Sequence, residues 1–222
     1  MATMFRLARL DGGNGLEIDR LNFLTDGIYA IVMTLLVLEL KIPEGLTPDR
    51  VLPALIENGP KFAAFAISFS AAAVGWSYAY LAHSVMRRSN FIHLIMTLAS
   101  LMAASLIPFA AAVMGSYPDS PWGYEPYCVV IAALCATLTI DMFVNRRALV
   151  DPRIDPRVPT AFWLSTMTVG LIAISGMPLA FWSPHAMFWI IVVVSMLIWV
   201  DYYLLSAWIG RETARIEELS DL

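Results

Sequence analysis

The sequence predicts an all-α membrane protein of six spans, and three observations predict it. The 222 residues are 59% hydrophobic and 14% charged, with a mean hydropathy of +0.69. A soluble domain is about 45–50% apolar and about 25% charged. The apolar residues gather into six runs of roughly twenty, the length that crosses a hydrocarbon core of about 30 Å. Between the runs lie the prolines and most of the charges, and the basic residues favour alternate turns.

The first span runs from Leu21 to Ile42. Gly27 to Leu38 carries no charge, and Asp26 and Glu39 bracket it, about 20 Å apart along a helix. Carboxylates at such depths are functional candidates, or they sit at headgroup level and are merely solvated. In the following loop, Asp49 to Glu57 reads as a short interfacial helix, with Thr47 as cap and Pro48 at its first position. The second span, Phe62 to His83, is rich in Ala, Ser and Gly, which suits close helix packing. After the turn Met86–Asn90, the third span runs from Phe91 to Met114, and Pro108 inside it predicts an interruption.

Gly115 to Glu125 reads as a loop, and the fourth span as Pro126 to Val144. An Arg- and Pro-rich loop leads to the fifth span, Thr160 to Trp182, which contains Gly170, Gly176 and Pro178. The sixth is Ala186 to Ile209. Residues 20–209 thus read as one transmembrane domain between a lead-in, 1–19, and an exposed tail, 210–222, whose composition also suits a helix. The lead-in holds Arg6 and Arg9, then Gly12, Gly13 and Gly15, with no apolar run of signal-peptide length.

Orientation follows from the basic residues. Lys41, Arg50 and Lys61 fall on one side, and all the other arginines on the opposite side. The positive-inside rule then puts both termini in the cytoplasm. Asp26, Asp141 and Asp201 fall toward the cytoplasmic ends of their spans, while Glu39, Glu44, Asp49, Glu57, Asp119 and Glu125 face outward. An acidic outer mouth concentrates cations, although ordinary loop solvation has the same composition.

Several functions are disfavoured. The net charge of −4 and the lack of a basic cluster argue against nucleic acid as a partner. No Gly-rich phosphate loop and no nucleophile beside a base suggest an enzyme. His83, His93 and His185 are scattered without metal-ligand spacing, so no cofactor is expected. Cys128 and Cys135, two helical turns or about 11 Å apart on one face, are too distant for a disulfide and read as small packed residues. No inverted repeat of the kind secondary transporters carry is visible.

On a helical first span, Ile31, Leu35 and Leu38 share one face with Thr34 at its edge. Copies meeting along that face would form a pore lined by branched apolar side chains. Such a constriction blocks ions by dewetting when narrow and passes them when wide. A lipid-facing or packed stripe has the same pattern.

The run Arg20-Leu21-Asn22-Phe23-Leu24-Thr25-Asp26-Gly27, followed by Ile28-Tyr29-Ala30-Ile31 and Thr34-Leu35-Leu36-Val37-Leu38-Glu39, resembles the signature of the transmembrane-protein-175 family of potassium channels. The family pattern is Arg-x-x-x-Phe-Ser-Asp-Gly, then an apolar run closing on Thr-Leu-Leu-Val-Leu-Glu. Leu106-Ile107-Pro108-Phe109 and Gly115-Ser116-Tyr117-Pro118-Asp119 continue the likeness to bacterial members. Leu24 and Thr25 stand where the family has Phe and Ser, and His83 lies seven residues after Trp76 rather than a few. The resemblance implies a homotetramer in a bacterial inner membrane, with the first span of each copy lining a central pore for monovalent cations. Ile31, Leu35 and Leu38 would then be the apolar gate and Thr34 the polar layer tied to potassium preference. Arg20, Leu24, Thr25, Asp26 and Trp76 would form the signature network. Asp26 needs a partner on another span, and Trp76, Tyr78 and Arg87 are the candidates. Two other readings stand beside the channel. One is a proton- or ion-coupled carrier relaying through Asp26, Asp141 and Asp201, and the other is a structural or sensing membrane module.

Overall fold

The computed structural model describes residues 18–86 and 89–220, with side chains as far as Arg215. The glycines of the lead-in, Arg6, Arg9, Arg87 and Arg88 lie outside the described residues. The helices are α1 (Ile18–Leu35), which tightens into a 3-10 turn (Leu36–Glu39), α2 (Pro48–Glu57), α3 (Gly59–Ser84), α4 (Phe91–Ala104), α5 (Ile107–Ser116), α6 (Pro121–Asn145), α7 (Arg157–Trp182) and α8 (Pro184–Ser220). Among the described residues six units are long and apolar enough to cross a membrane: α1 with its turn, α3, α4 with α5, α6, α7 and α8. The protein is a multi-pass membrane protein.

The boundaries follow local chemistry. The first span stops at Glu39 rather than Ile42. Pro43 has no N–H to continue a helix and pushes the residue before it toward extended backbone. In α2, Pro48 occupies the first turn after an extended Thr47, and Val51, Leu52 and Ile56 are left exposed, an apolar edge suited to the membrane surface. The third span breaks at Ser105–Leu106, directly before Pro108. There the Ser105 hydroxyl and backbone N–H both donate to Leu101 O, at 2.8 and 2.9 Å, which keeps the interruption satisfied inside an apolar layer. α6 begins at Pro121, five residues before the predicted start, because Pro fits the first helical turn. The helix of the sixth span runs on past Ile209 into the tail, as the tail's composition allows. It continues unbroken through Gly210 to Ser220, about 55 Å in all, so its last turns outrun the hydrocarbon core.

Two apolar cores stack along the spans. One gathers Tyr29, Val32 and Leu36 of the first span against Ile67, Leu101, Ile107 and Leu134. The other, at the Arg-rich end, joins Tyr78, Leu81, Met142, Phe162 and Leu205 with Leu149, Val150 and Ile154 of the loop before α7. That loop is pinned by Asp151 N–H donating to Val85 O at 3.0 Å and by a bridge between Met86 and Val150. Cys128 and Cys135 are buried free thiols.

Gly75 of α3 leaves room for the Tyr29 side chain of α1. A Cβ there would stand 2.9 Å from the Tyr29 hydroxyl and 3.3 Å from Leu134 Cδ2. Gly75→Ala should therefore displace Tyr29 at a cost of about 1–3 kcal/mol, the usual penalty of overpacking. The readout is a lowered thermal unfolding midpoint of the purified protein. Gly210→Ala, where the added carbon meets open space, should leave that midpoint unchanged or raise it.

Candidate functional site

The first span is fastened to α3 by two polar contacts. Trp76 Nε1 donates to Asp26 Oδ1 at 2.7 Å. Two turns further along α3, His83 Nδ1 hydrogen-bonds Asn22 Oδ1, and since that oxygen only accepts, the imidazole donates. The seven-residue spacing of Trp76 and His83 puts both on one face of α3, and the four-residue spacing of Asn22 and Asp26 does the same on α1. The late histidine is thus within reach of the signature segment. Of the three candidate partners for Asp26, Trp76 is the one found. Tyr78 is committed elsewhere, and Arg87 lies outside the described residues.

The signature residues do not converge on one point. Thr25 is buried, 3% exposed, beside the stripe formed by Leu21, Tyr29 and Val32. Arg20, Leu24 and Asp26 are exposed on the single chain. Much of the α1 surface outside the buried stripe is exposed, including Ile31 at 55%, Leu35 at 42% and Leu38 at 58%. Leu35 and Leu38 are three residues apart across the 3-10 turn, where such side chains stand in line. The Thr34 hydroxyl bonds back to Ala30 O at 3.0 Å and Ile31 O at 2.9 Å. Its hydrogen is thereby occupied by the backbone.

A second polar cluster was not visible in the sequence. His93, fully buried, places Nδ1 2.7 Å from Asp141 Oδ2. Asn145 Nδ2 donates to Asp141 Oδ1 at 2.8 Å, and Asn90 Nδ2 donates to Asn145 Oδ1 at 2.8 Å. Asn90 also caps α4 by accepting the His93 backbone N–H at 2.8 Å. The His83 ring stands edge-on to His93, with centroids 5.1 Å apart. Two of the three histidines that look scattered in the sequence are therefore neighbours, at the two ends of the short connection between α3 and α4. A potential signal is the pair of Asn residues, each at the mouth of an apolar span and each one turn from an ionisable group. His185 is separate, exposed and 3.7 Å from the exposed Asp119.

Asp201, on α8, accepts hydrogen bonds from the Tyr78 and Ser165 hydroxyls. The three acids proposed as a relay thus sit in three clusters, Asp26 with Trp76, Asp141 with His93 and Asn145, and Asp201 with Tyr78 and Ser165. Each ties neighbouring spans together, and among the described residues no hydrogen bond joins one acid's cluster to the next.

Asp141→Ala should strand the His93 Nδ1–H and the Asn145 amide in an apolar layer, at about 1–3 kcal/mol for each orphaned donor. The expected result is a large loss of thermal stability and of folded yield in detergent. His185→Ala, at the exposed pair, should leave both unchanged.

Against this geometry, the comparisons with known proteins agree. The family model described as the endosomal/lysosomal potassium channel TMEM175 matches residues 20–108, from the signature arginine to the proline that interrupts the third span. A protein of Streptomyces collinus named as a potassium channel is 27% identical over 174 residues, covering 72% of this chain and 84% of the relative. Human TMEM175, named an endosomal/lysosomal proton channel, is 21% identical over 127 residues, and the match spans 25% of its length. The crystal structure described as a lysosomal potassium-selective channel TMEM175 homolog from Chamaesiphon minutus superposes with a TM-score of 0.64 at 22% identity, covering 88% of this chain and 97% of that one, which establishes the shared fold. Over residues 20–108 the chain is similar to the TMEM175 family, and it shares its fold with a bacterial TMEM175 homolog.

Proposed function

We propose that this chain forms a potassium-permeable cation channel in the inner membrane of a bacterium, built from four copies with α1 of each around a central path and both termini in the cytoplasm. The observation that carries the reading is the family match, which begins at Arg20 and takes in the whole of the span assigned to the pore. The name of the Streptomyces relative supports it. A single chain with one lining helix cannot enclose a path, so the reading requires an oligomer. The exposed surface of α1 supplies room for one.

In this reading Ile31, Leu35 and Leu38 form rings of branched hydrocarbon that expel water when narrow. Thr34 supplies the polar layer between them. Because its hydroxyl hydrogen is bonded to the backbone, the oxygen presents lone pairs to a cation and acts as a ligand in place of hydration water. Four such oxygens with few other donors would prefer potassium over sodium modestly. The human relative is named for protons, which gives a second permeant ion to measure.

The test is potassium, sodium and proton flux from proteoliposomes holding the purified protein. The expected outcome is rapid flux down the gradient that favours potassium. Ile31→Asn should wet the constriction and raise the leak severalfold, and Thr34→Val should keep permeation while lowering the preference for potassium. Flux that saturates with substrate and follows the pH through Asp26, Asp141 or Asp201 would instead support a carrier. An absence of flux from both the folded wild type and Ile31→Asn would support the sensing module.

A further inference from the structure

A cavity of about 90 Å³ lies between α3, α6, α7 and α8, and no residue of α1 lines it. Its walls are hydrocarbon, among them Leu134, Leu138, Val169, Ile190, Val194 and Ile198. Polar side chains also reach it, but four of them are already engaged with protein partners. Tyr78 and Ser165 bond to Asp201, Thr166 pairs with Thr139 at 2.8 Å, and Ser70 accepts the Trp199 indole N–H at 2.8 Å. Water needs two to four polar partners to settle in a buried site, and apolar cavities of this order stay dry and take up hydrocarbon.

We propose that this cavity takes up the terminal few carbons of an acyl chain of a bilayer phospholipid. The occupant follows from where the cavity opens. Ile172, on its lining, is exposed, and beside it on α7 and α8 stand Leu171, Val193 and Leu197, at 56%, 52% and 60% exposure. α7 and α8 are also the least enclosed spans, with 22% and 11% of their apolar windows buried. This apolar surface suits contact with the bilayer, and the cavity lies behind it. An unbranched chain can enter without removing any polar group from water. Gly75 and Leu134, which line the cavity, also pack on Tyr29 of α1, so one layer of side chains separates the bound chain from the first span.

The test uses the full-length protein reconstituted in phosphatidylcholine whose acyl chain carries a photoreactive diazirine, followed by peptide mapping of the crosslinks. The expected result is labelling of the buried face of α6 around Leu134 and Cys135 as well as of exposed Leu171 and Val193. Ala173→Phe from one wall and Ala71→Leu from another fill the cavity. Each, when it elutes as the wild type does on size exclusion, should reduce the α6 labelling severalfold and leave the exposed positions labelled as before. Crosslinks confined to exposed positions in the wild type, or inward labelling unchanged in a folded variant, would overturn the proposal. The readout does not involve flux, so it stands or falls apart from the channel reading.

Discussion

The hydrogen bond from the Trp76 indole to Asp26, 2.7 Å long, sets how the first span can sit against the rest of the molecule. A carboxylate beside an uncharged apolar run has few ways to be stable. It reaches water, or it finds a donor. The indole N–H supplies a donor without adding a second charge, and a hydrogen bond to a charged acceptor is worth about 1.5–3 kcal/mol net. Once that contact is made, the neighbours on both helices are determined. One turn earlier on α1, Asn22 meets His83, and one turn later Tyr29 meets the gap left by Gly75. Moving α1 by a single residue relative to α3 would break all three contacts, so the seam has one register.

The same constraint recurs across the bundle. Asp141 and Asp201 each lie on apolar spans, and each is held by two side-chain hydrogen-bond partners from the protein. Hydrocarbon packing between membrane helices is weakly directional, because lipid tails are as apolar as leucine. The polar clusters therefore specify which faces meet, while the small residues of α3 allow the faces to come close. This explains why the carboxylates suit structural ties better than a relay. All but the Asn145–Asp141 bond run sideways between helices, whereas a relay would need them in sequence along a path.

Much of the architecture was legible because hydropathy acts through length alone. Six runs of sufficient length gave six spans, and Pro108 and Pro48 marked an interruption and a helix start for reasons intrinsic to the proline ring. The boundaries were less legible where a local breaker was overruled. Gly210 looked like the end of the sixth span, but its flanks are good helix formers and the added freedom of one glycine costs only about 1 kcal/mol. The Trp76 partner of Asp26 could be named from the need for a donor, and Tyr78 could not be eliminated without knowing that Asp201 lies nearer. The His93–Asp141–Asn145 cluster was hidden because its members come from two spans and a sequence carries no record of which helix faces adjoin. Spacing rules find clusters within one helix, and this one forms between helices.

The polar ties are also unevenly placed along α1. Asn22 and Asp26 hold its first half, and beyond them Tyr29, Val32 and Leu36 make contacts that are mainly apolar. Ile31, Thr34, Leu35 and Leu38 all lie on this second half. Apolar contacts tolerate sliding and rotation better than a hydrogen bond tolerates stretching, because dispersion is shallow and non-directional. A helix held by hydrogen bonds at one end and by apolar contacts at the other would bend or pivot about the hydrogen-bonded end. In the channel reading, such a pivot would change the radius at Leu38 more than at Ile31 without breaking a single polar contact. The 3-10 turn at Leu36–Glu39, whose hydrogen-bond geometry is poorer than that of an α-helix, places the most adaptable backbone of the span at the end that travels furthest.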